Sequence, residues 1–223
     1  MKRKIFLALF LFMFSVSCQE NNGSGAKQQQ AEPQKAGKKS GTMIFFGDSL
    51  TAGYGLDEPS LAFPGLIQAK LDSAGLAYQV INAGVSGETS SGGVERIDWI
   101  LSKPVDIFIL ELGANDGLRG IPIDVTAKNL QAIIDKVKAK NEKTRIILAG
   151  IQVPPNMGER YTSAFKAMFP ELAKKNKIEL VPFLLEGVGG EPELNQADGI
   201  HPTVEGHKIV AENVWPYILK VTR

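Results

Sequence analysis

Short apolar runs alternate with amphipathic stretches along most of this 223-residue chain, and this alternation restricts the fold more than any other feature. Runs such as "IFIL" (107–110) and "RIILAG" (145–150) are almost continuously apolar, which is typical of strands buried on both faces. The runs predict five strands: Thr42–Gly47, Gln79–Ala83, Asp106–Gly113, Arg145–Gly150 and Glu179–Pro182.

The stretches between and after these strands have helical patterns. They lie at about Ser60–Ser73, Gly92–Leu101, Asp124–Lys140, Tyr161–Lys175 and Thr203–Lys220. In the third helix, Leu130, Ile133, Ile134 and Val137 form one apolar stripe. Strands that alternate with helices predict an α/β fold with a doubly wound parallel sheet, formed by one domain at residues 41–223. Ligands bind such sheets beyond the carboxyl ends of the strands.

The first forty residues do not share this pattern. Residues 1–18 resemble a bacterial lipoprotein signal, with a basic start, an apolar run at Ile5–Phe14 and a Cys at position 18 that would carry the lipid. The other interpretation is plain secretion with an incidental Cys18. Residues 19–40 are rich in Gln, Gly, Ser and Lys, which is typical of a disordered tether. We therefore expect an exported protein that is anchored to the cell envelope, with membrane contact through Cys18.

Charge and cysteine content exclude other classes. The first forty residues carry a net charge of +5 and the whole chain +1, which leaves about −4 on the domain. A domain without net positive charge is a poor candidate for binding nucleic acid. The chain contains one Cys, so the domain has no disulfide to stabilise it.

The first predicted strand ends in the segment "FGDSL", which places Ser49 at the carboxyl edge of the sheet. A serine hydroxyl becomes a useful nucleophile when a base removes its proton. The chain has two histidines, and one of them, His201, follows Asp198 by three residues in "DGIHP". The carboxylate of Asp198 can orient the imidazole of His201 towards Ser49. Taken alone, the Asp-Ser pair also fits an ordinary helix cap.

Attack on a carbonyl also requires hydrogen-bond donors for the oxyanion. The loops after the first three strands offer the backbone N–H of Ser49, the backbone N–H of Gly87 and the side-chain amide of Asn115. The alternative for Gly87 is a turn that needs positive φ, and for Asn115 a simple turn. We expect Asp48 and Asp116 to brace their loops and His207 to be structural or exposed to solvent.

Four segments together resemble the GDSL or SGNH hydrolase family: "FGDSLTAGYG", "NAGVSGETS", "LGANDGLRG" and "DGIHP". They are most similar to its branch of multifunctional thioesterases, lysophospholipases and arylesterases. The resemblance implies a flavodoxin-like three-layer α/β/α fold with five parallel strands, and a triad of Ser49, Asp198 and His201. It also implies an oxyanion hole of Ser49, Gly87 and Asn115. Gly84 and Pro155 depart from the residues that are frequent in close relatives.

The expected activity is hydrolysis of acyl or aryl esters, lysophospholipids or thioesters, without a metal or another cofactor. In the loop "VPPNMGERY", the apolar residues Val153, Pro154, Met157 and Tyr161 could contact an acyl chain, or could pack on their own domain. One alternative function is carbohydrate O-deacetylation by the same triad. Two others are a binding lipoprotein without catalysis and a flavin or nucleotide module. The last is disfavoured because no phosphate-cradling, Gly-rich loop follows the first strand.

Overall fold

The computed structural model describes residues 41–222, so the signal segment, Cys18 and the tether lie outside the described residues. The described part contains a five-stranded parallel sheet, as the sequence predicts. Its strands are β1 (Gly41–Gly47), β2 (Tyr78–Gly84), β3 (Ile107–Glu111), β4 (Arg145–Ala149) and β5 (Glu179–Val181). Over residues 41–222, no helix has the length and hydropathy needed to cross a membrane.

Within residues 41–222, seven α-helices connect and cover the strands. They are α1 (Ser49–Ala52), α2 (Phe63–Ser73), α3 (Ser90–Ile100), α4 (Ala114–Leu118), α5 (Ile123–Lys140), α6 (Glu159–Asn176) and α7 (Val204–Val221). The five long helices match the predicted ones to within three residues at each end. The short helices α1 and α4 were not predicted because four or five residues are too few to show a helical period.

Helices cover both faces of the sheet. Neighbouring residues of β1 point in opposite directions, so Phe45 packs edge-on against Phe63 of α2, whereas Phe46 lies under the guanidinium group of Arg96 from α3. Helix α2 packs against α7, and α3 packs against α5, which in turn contacts α6. All five residues of β3 are buried, as expected for a central strand in a three-layer α/β/α sandwich.

The strand order is β2-β1-β3-β4-β5, which is the flavodoxin-like order. The chain crosses from β1 to β2 on one side and then returns to place β3 on the other side of β1. A crevice therefore opens beyond the carboxyl ends of β1 and β3. Ser49 follows β1 and Asn115 follows β3, so both lie at this crevice.

Candidate active site

Ser49 is the first residue of α1, directly after the sheet. The carboxylate of Asp48 caps this helix by accepting a hydrogen bond from the backbone N–H of Leu50 at 3.0 Å. Gly47 is required before this turn, because a Cβ there would overlap Thr51 Oγ1 and Glu111 Oε2. The turn thus holds Ser49 at the edge of the sheet with 9% of its surface exposed.

The structure brings His201 and Asp198 to Ser49. Nε2 of His201 lies 2.8 Å from Ser49 Oγ, and Nδ1 lies 2.6 Å from Asp198 Oδ2. An ionised carboxylate has no proton to give, so Nδ1 carries the hydrogen and Nε2 accepts one from the Ser49 hydroxyl. Tyr54 covers the ring of His201, with the two ring centroids 4.6 Å apart. This is the arrangement in which an imidazole activates a serine.

Asp198 is held in its ionised form. Its hydrogen bond with His201 lowers the pKa of the carboxyl to about 2, with further contributions from the backbone N–H groups of Ile200 and His201. Both N–H groups donate to Oδ1 at 3.0 Å. One oxygen of Asp198 is therefore fixed by the backbone and the other orients the imidazole.

Ser49, Gly87 and Asn115, the residues expected to supply N–H donors, line one cavity. Across residues 41–222, the backbone N–H groups of Ser49 and Gly87 have no protein acceptor. Gly87 adopts φ +80°, as the turn interpretation requires. Its N–H can still donate to an oxyanion, so the two interpretations of Gly87 are compatible. The third donor is Nδ2 of Asn115, and one of its hydrogens is directed at Asp48 Oδ2, 3.1 Å away. The other hydrogen remains available for an oxyanion.

A pair of buried carboxyl groups lies beneath this turn. Burial raises the pKa of Asp48 to about 6, and burial together with the charge of Asp48 holds the pKa of Glu111 well above its ordinary value. Glu111 Oε2 accepts hydrogen bonds from Thr51 Oγ1 at 2.7 Å and from the Asp48 backbone N–H at 3.3 Å. Glu111 Oε1 is buried without a partner among the described residues. Glu111 therefore supports the turn from inside the protein.

Ser49 and His201 line a cavity of about 550 Å³, a size typical of small-molecule sites. Ser86, Gly87 and Asn115 line the cavity near Ser49. The remaining wall is mainly apolar, and most of it comes from the loops after β4 and β5, with Leu50, Tyr54, Ala114 and Leu118 from the segments after β1 and β3. It includes Ile151, Val153, Pro154, Pro155, Phe183, Leu185, Gly189, Gly190 and Ile200.

Two residues proposed from the sequence as acyl contacts lie elsewhere. Met157 and Tyr161 line a separate cavity with Ile123, and the Tyr161 hydroxyl donates to the Ile121 carbonyl at 2.7 Å. For this pair the position favours the alternative, packing on their own domain, because a turn at Pro155–Met157 lies between Val153 and α6. Val153 and Pro154 precede the turn and do line the active-site cavity.

Other polar residues of the site region have structural contacts. Asp116 accepts hydrogen bonds from the Ser90 N–H and from the hydroxyls of Ser90 and Thr126, so it braces the loop. His207 is buried, accepts a hydrogen bond from the Phe63 N–H, and has its pKa lowered to about 4 by burial. Among residues 41–222, no cluster of His, Cys, Asp or Glu could hold a metal ion.

Sequence reasoning missed the wall contributed by the loop after β5. Phe183, Leu185, Gly189 and Gly190 lie between β5 and the Asp198 segment, with no charged or nucleophilic side chain among them. The apolar composition of "PFLL" was the available signal, but it equally fits the core.

Residues 45–209 match the model of the GDSL-like Lipase/Acylhydrolase family. The chain is 44% identical over 177 residues to Esterase TesA of Pseudomonas aeruginosa, which covers 78% of this chain and 86% of that protein. It is 40% identical over 172 residues to Thioesterase 1/protease 1/lysophospholipase L1 of Escherichia coli, with 77% and 80% covered.

The fold agrees with this sequence similarity. A crystal structure of TesA superposes with a TM-score of 0.77 at 40% sequence identity, covering 81% of this chain and 99% of that chain. The family match includes all four sequence segments that resemble the GDSL or SGNH family, from "FGDSL" to "DGIHP". The chain belongs to the GDSL-like lipase/acylhydrolase family.

Proposed function

We propose that the protein is a serine esterase in which Ser49 is the nucleophile, His201 the general base and Asp198 the residue that orients the imidazole. The observation that supports this most strongly is the continuous hydrogen-bond chain from Asp198 Oδ2 through the imidazole to Ser49 Oγ, with distances of 2.6 and 2.8 Å. The chain ends in a cavity large enough for an ester.

The reaction proceeds in two similar halves. Ser49 Oγ attacks the ester carbonyl while its proton moves to His201 Nε2, and the oxyanion accepts hydrogen bonds from Ser49, Gly87 and Asn115. The bond to the leaving oxygen then breaks, and His201 returns its proton to the departing alcohol. Water, activated by the same imidazole, attacks the acyl-enzyme and releases the carboxylic acid. Asp198 stays ionised throughout and stabilises the imidazolium.

The wall of the cavity favours acyl substrates. Val153, Pro154 and Phe183 give the acyl part an apolar surface, and each buried methylene contributes about 0.8 kcal/mol. The substrates we propose are acyl and aryl esters, lysophospholipids and acyl thioesters. The similarity to an esterase and to a thioesterase/lysophospholipase supports this range.

The test compares the wild type with Ser49→Ala on p-nitrophenyl esters of increasing acyl length. The matched control is Ser86→Ala, which removes a second hydroxyl from the same cavity. We expect Ser49→Ala to lose ester hydrolysis and Ser86→Ala to keep it. Wild-type turnover by Ser49→Ala would refute the proposal. A clear preference for acetylated saccharides over acyl esters would instead favour the O-deacetylase.

We also propose that the protein is an exported lipoprotein with its lipid on Cys18. The support is the order of basic residues, apolar run and single Cys at the start of the chain. Metabolic labelling with a radioactive fatty acid should mark the wild type and spare Cys18→Ser. Equal labelling of both proteins would contradict the anchor.

A further inference from the structure

The three oxyanion donors differ in how they are held. Ser49 belongs to α1 and Asn115 to α4, but Gly87 lies in an exposed loop between β2 and α3. Inside this loop, one turn bond runs from the Glu88 N–H to the Val85 carbonyl at 3.1 Å. A donor lowers the barrier when its direction is set before the reaction. The N–H of Gly87 therefore needs support from outside its loop.

Glu88, the residue after Gly87, provides a link to the body of the protein. Its two carboxylate oxygens accept hydrogen bonds from Nε and Nη2 of Arg96, each at 2.5 Å. The side chains are 6% exposed for Glu88 and 21% for Arg96, so water screens this pair little. A bidentate pair between a guanidinium and a carboxylate fixes orientation as well as distance.

Arg96 is itself fixed to the ends of two strands. Nη2 also donates to the carbonyl of Ala83 at 2.8 Å and to that of Gly47 at 3.3 Å. The guanidinium carbon lies 3.9 Å from the ring centroid of Phe46. Gly47 is two residues before Ser49. One guanidinium thus connects the strand that leads to the nucleophile with the carboxylate next to Gly87.

We propose that Arg96 is a positioning residue of the oxyanion hole that acts through Glu88. The pair sets the direction of the Gly87 N–H relative to the Ser49 N–H, so that both point at the developing negative charge. Arg96 touches neither the substrate nor the reacting atoms. This proposal rests on the esterase function proposed above.

A second contact, to the carbonyl of Gly87, is weaker. Nη2 of Arg119 donates to the Gly87 carbonyl at 3.1 Å, but Arg119 is exposed and makes a single hydrogen bond there. Exposed interactions of this kind contribute little because solvent competes for both partners. We therefore assign the main positioning role to Arg96.

The test uses Arg96→Lys, which keeps the positive charge and removes the planar fork, and Glu88→Gln, which keeps the shape and removes the negative charge. Active sites are counted by titration with a fluorophosphonate, so that unfolded protein does not enter kcat. Removing one oxyanion donor costs about 10²–10³ in kcat, and we expect its misplacement to cost about 10- to 100-fold. KM should stay within about twofold, because the interaction forms in the transition state.

Residues that act as one unit give non-additive losses. The double variant should therefore be no slower than the slower single variant, within about twofold. The control is Lys136→Ala, which breaks the exposed pair between Lys136 of α5 and Asp98 of α3, the helix that carries Arg96. This variant should keep wild-type kcat.

An Arg96→Lys variant with wild-type kcat per titrated site would overturn the proposal, and so would losses in the two single variants that multiply in the double variant. A loss confined to the number of titrated sites would also overturn it, because that is the result of a purely structural role. A wild type that hydrolyses no ester would refute the esterase function instead.

Discussion

Asp48 connects stability and activity at this site, and its substitution by Asn separates them. The carboxylate caps α1 through Leu50 and accepts a hydrogen bond from Asn115. It is nearly fully buried, and burial raises its pKa from 3.8 to about 6. The folded protein therefore holds the charged form of Asp48 at a cost in stability at neutral pH.

The size of this cost follows from the shift in pKa. Because the pKa of Asp48 is higher in the folded state than in the unfolded state, Asp48 does not lower the free energy of unfolding below pH 3.8. The free energy of unfolding falls as the pH rises through about 6. A shift of about two units corresponds to about 3 kcal/mol above pH 7, and to about 1 kcal/mol at pH 4.5. Because Asn cannot ionise, Asp48→Asn should be more stable than the wild type by up to these amounts.

Activity should change in the opposite direction. With its oxygen still capping Leu50, the new Asn presents its NH₂ group to Nδ2 of Asn115, and two donors then face each other. Rotation of the Asn115 amide group relieves this contact. The side-chain oxygen of Asn115 then takes the place of the N–H that would face the oxyanion. Loss of one oxyanion donor lowers kcat by about 10²–10³, or about 3–4 kcal/mol in the barrier.

The assay combines urea unfolding at pH 7.5 and pH 4.5 with kcat on a p-nitrophenyl ester. Asp106→Asn is the control: Asp106 is exposed, accepts from the Thr42 N–H and lies at the opposite edge of the sheet. Its unfolding free energy should stay within about 0.5 kcal/mol of the wild type. Wild-type kcat in Asp48→Asn would refute the orienting role of Asp48, and lower stability at pH 7.5 would refute the burial cost.

Three other substitutions test separate parts of the account. Asp198→Asn should lower kcat by about 10⁴-fold, since the imidazole loses the carboxylate that fixes its tautomer; a loss under tenfold would contradict this role. Gly47→Ala should lower the unfolding free energy in urea by about 1–3 kcal/mol, because its Cβ overlaps Thr51 and Glu111; an unchanged value would show that the turn can relax. Val153→Ala removes two methyl groups from the cavity wall and should lower kcat/KM for a decanoate ester by about 10-fold. The kcat/KM for an acetate ester should not change. Equal losses for the two esters would place Val153 away from the acyl chain.

The sequence predicted the sheet and the triad for the same physical reason. Strands buried on both faces have continuous apolar sequences, and the functional residues of a parallel sheet lie just after the carboxyl ends of those strands. Ser49 and His201 are 152 residues apart, but each follows a recognisable signal: "GDSL" after a strand for the serine, and an Asp three residues earlier for the histidine.

Features that depend on long-range packing could not be predicted in this way. Glu111 ends an apolar run, and nothing local shows that its carboxyl lies against Thr51, 60 residues earlier. The cavity wall contributed by the loop after β5 depends on how that loop folds back against the site. An irregular loop has no hydrophobic period in the sequence that could predict this. Met157 and Tyr161 are close to Val153 along the chain, yet a turn before α6 directs them to another cavity.

The proposed mechanism depends on the activation of Ser49 by His201. Treatment with a fluorophosphonate, followed by mass spectrometry of the intact protein and of its proteolytic peptides, tests this activation directly. We expect one phosphonyl group per molecule, located on the peptide that contains Ser49, and labelling at least a hundredfold slower in His201→Ala. Label on another residue, or the same labelling rate in His201→Ala, would contradict the account.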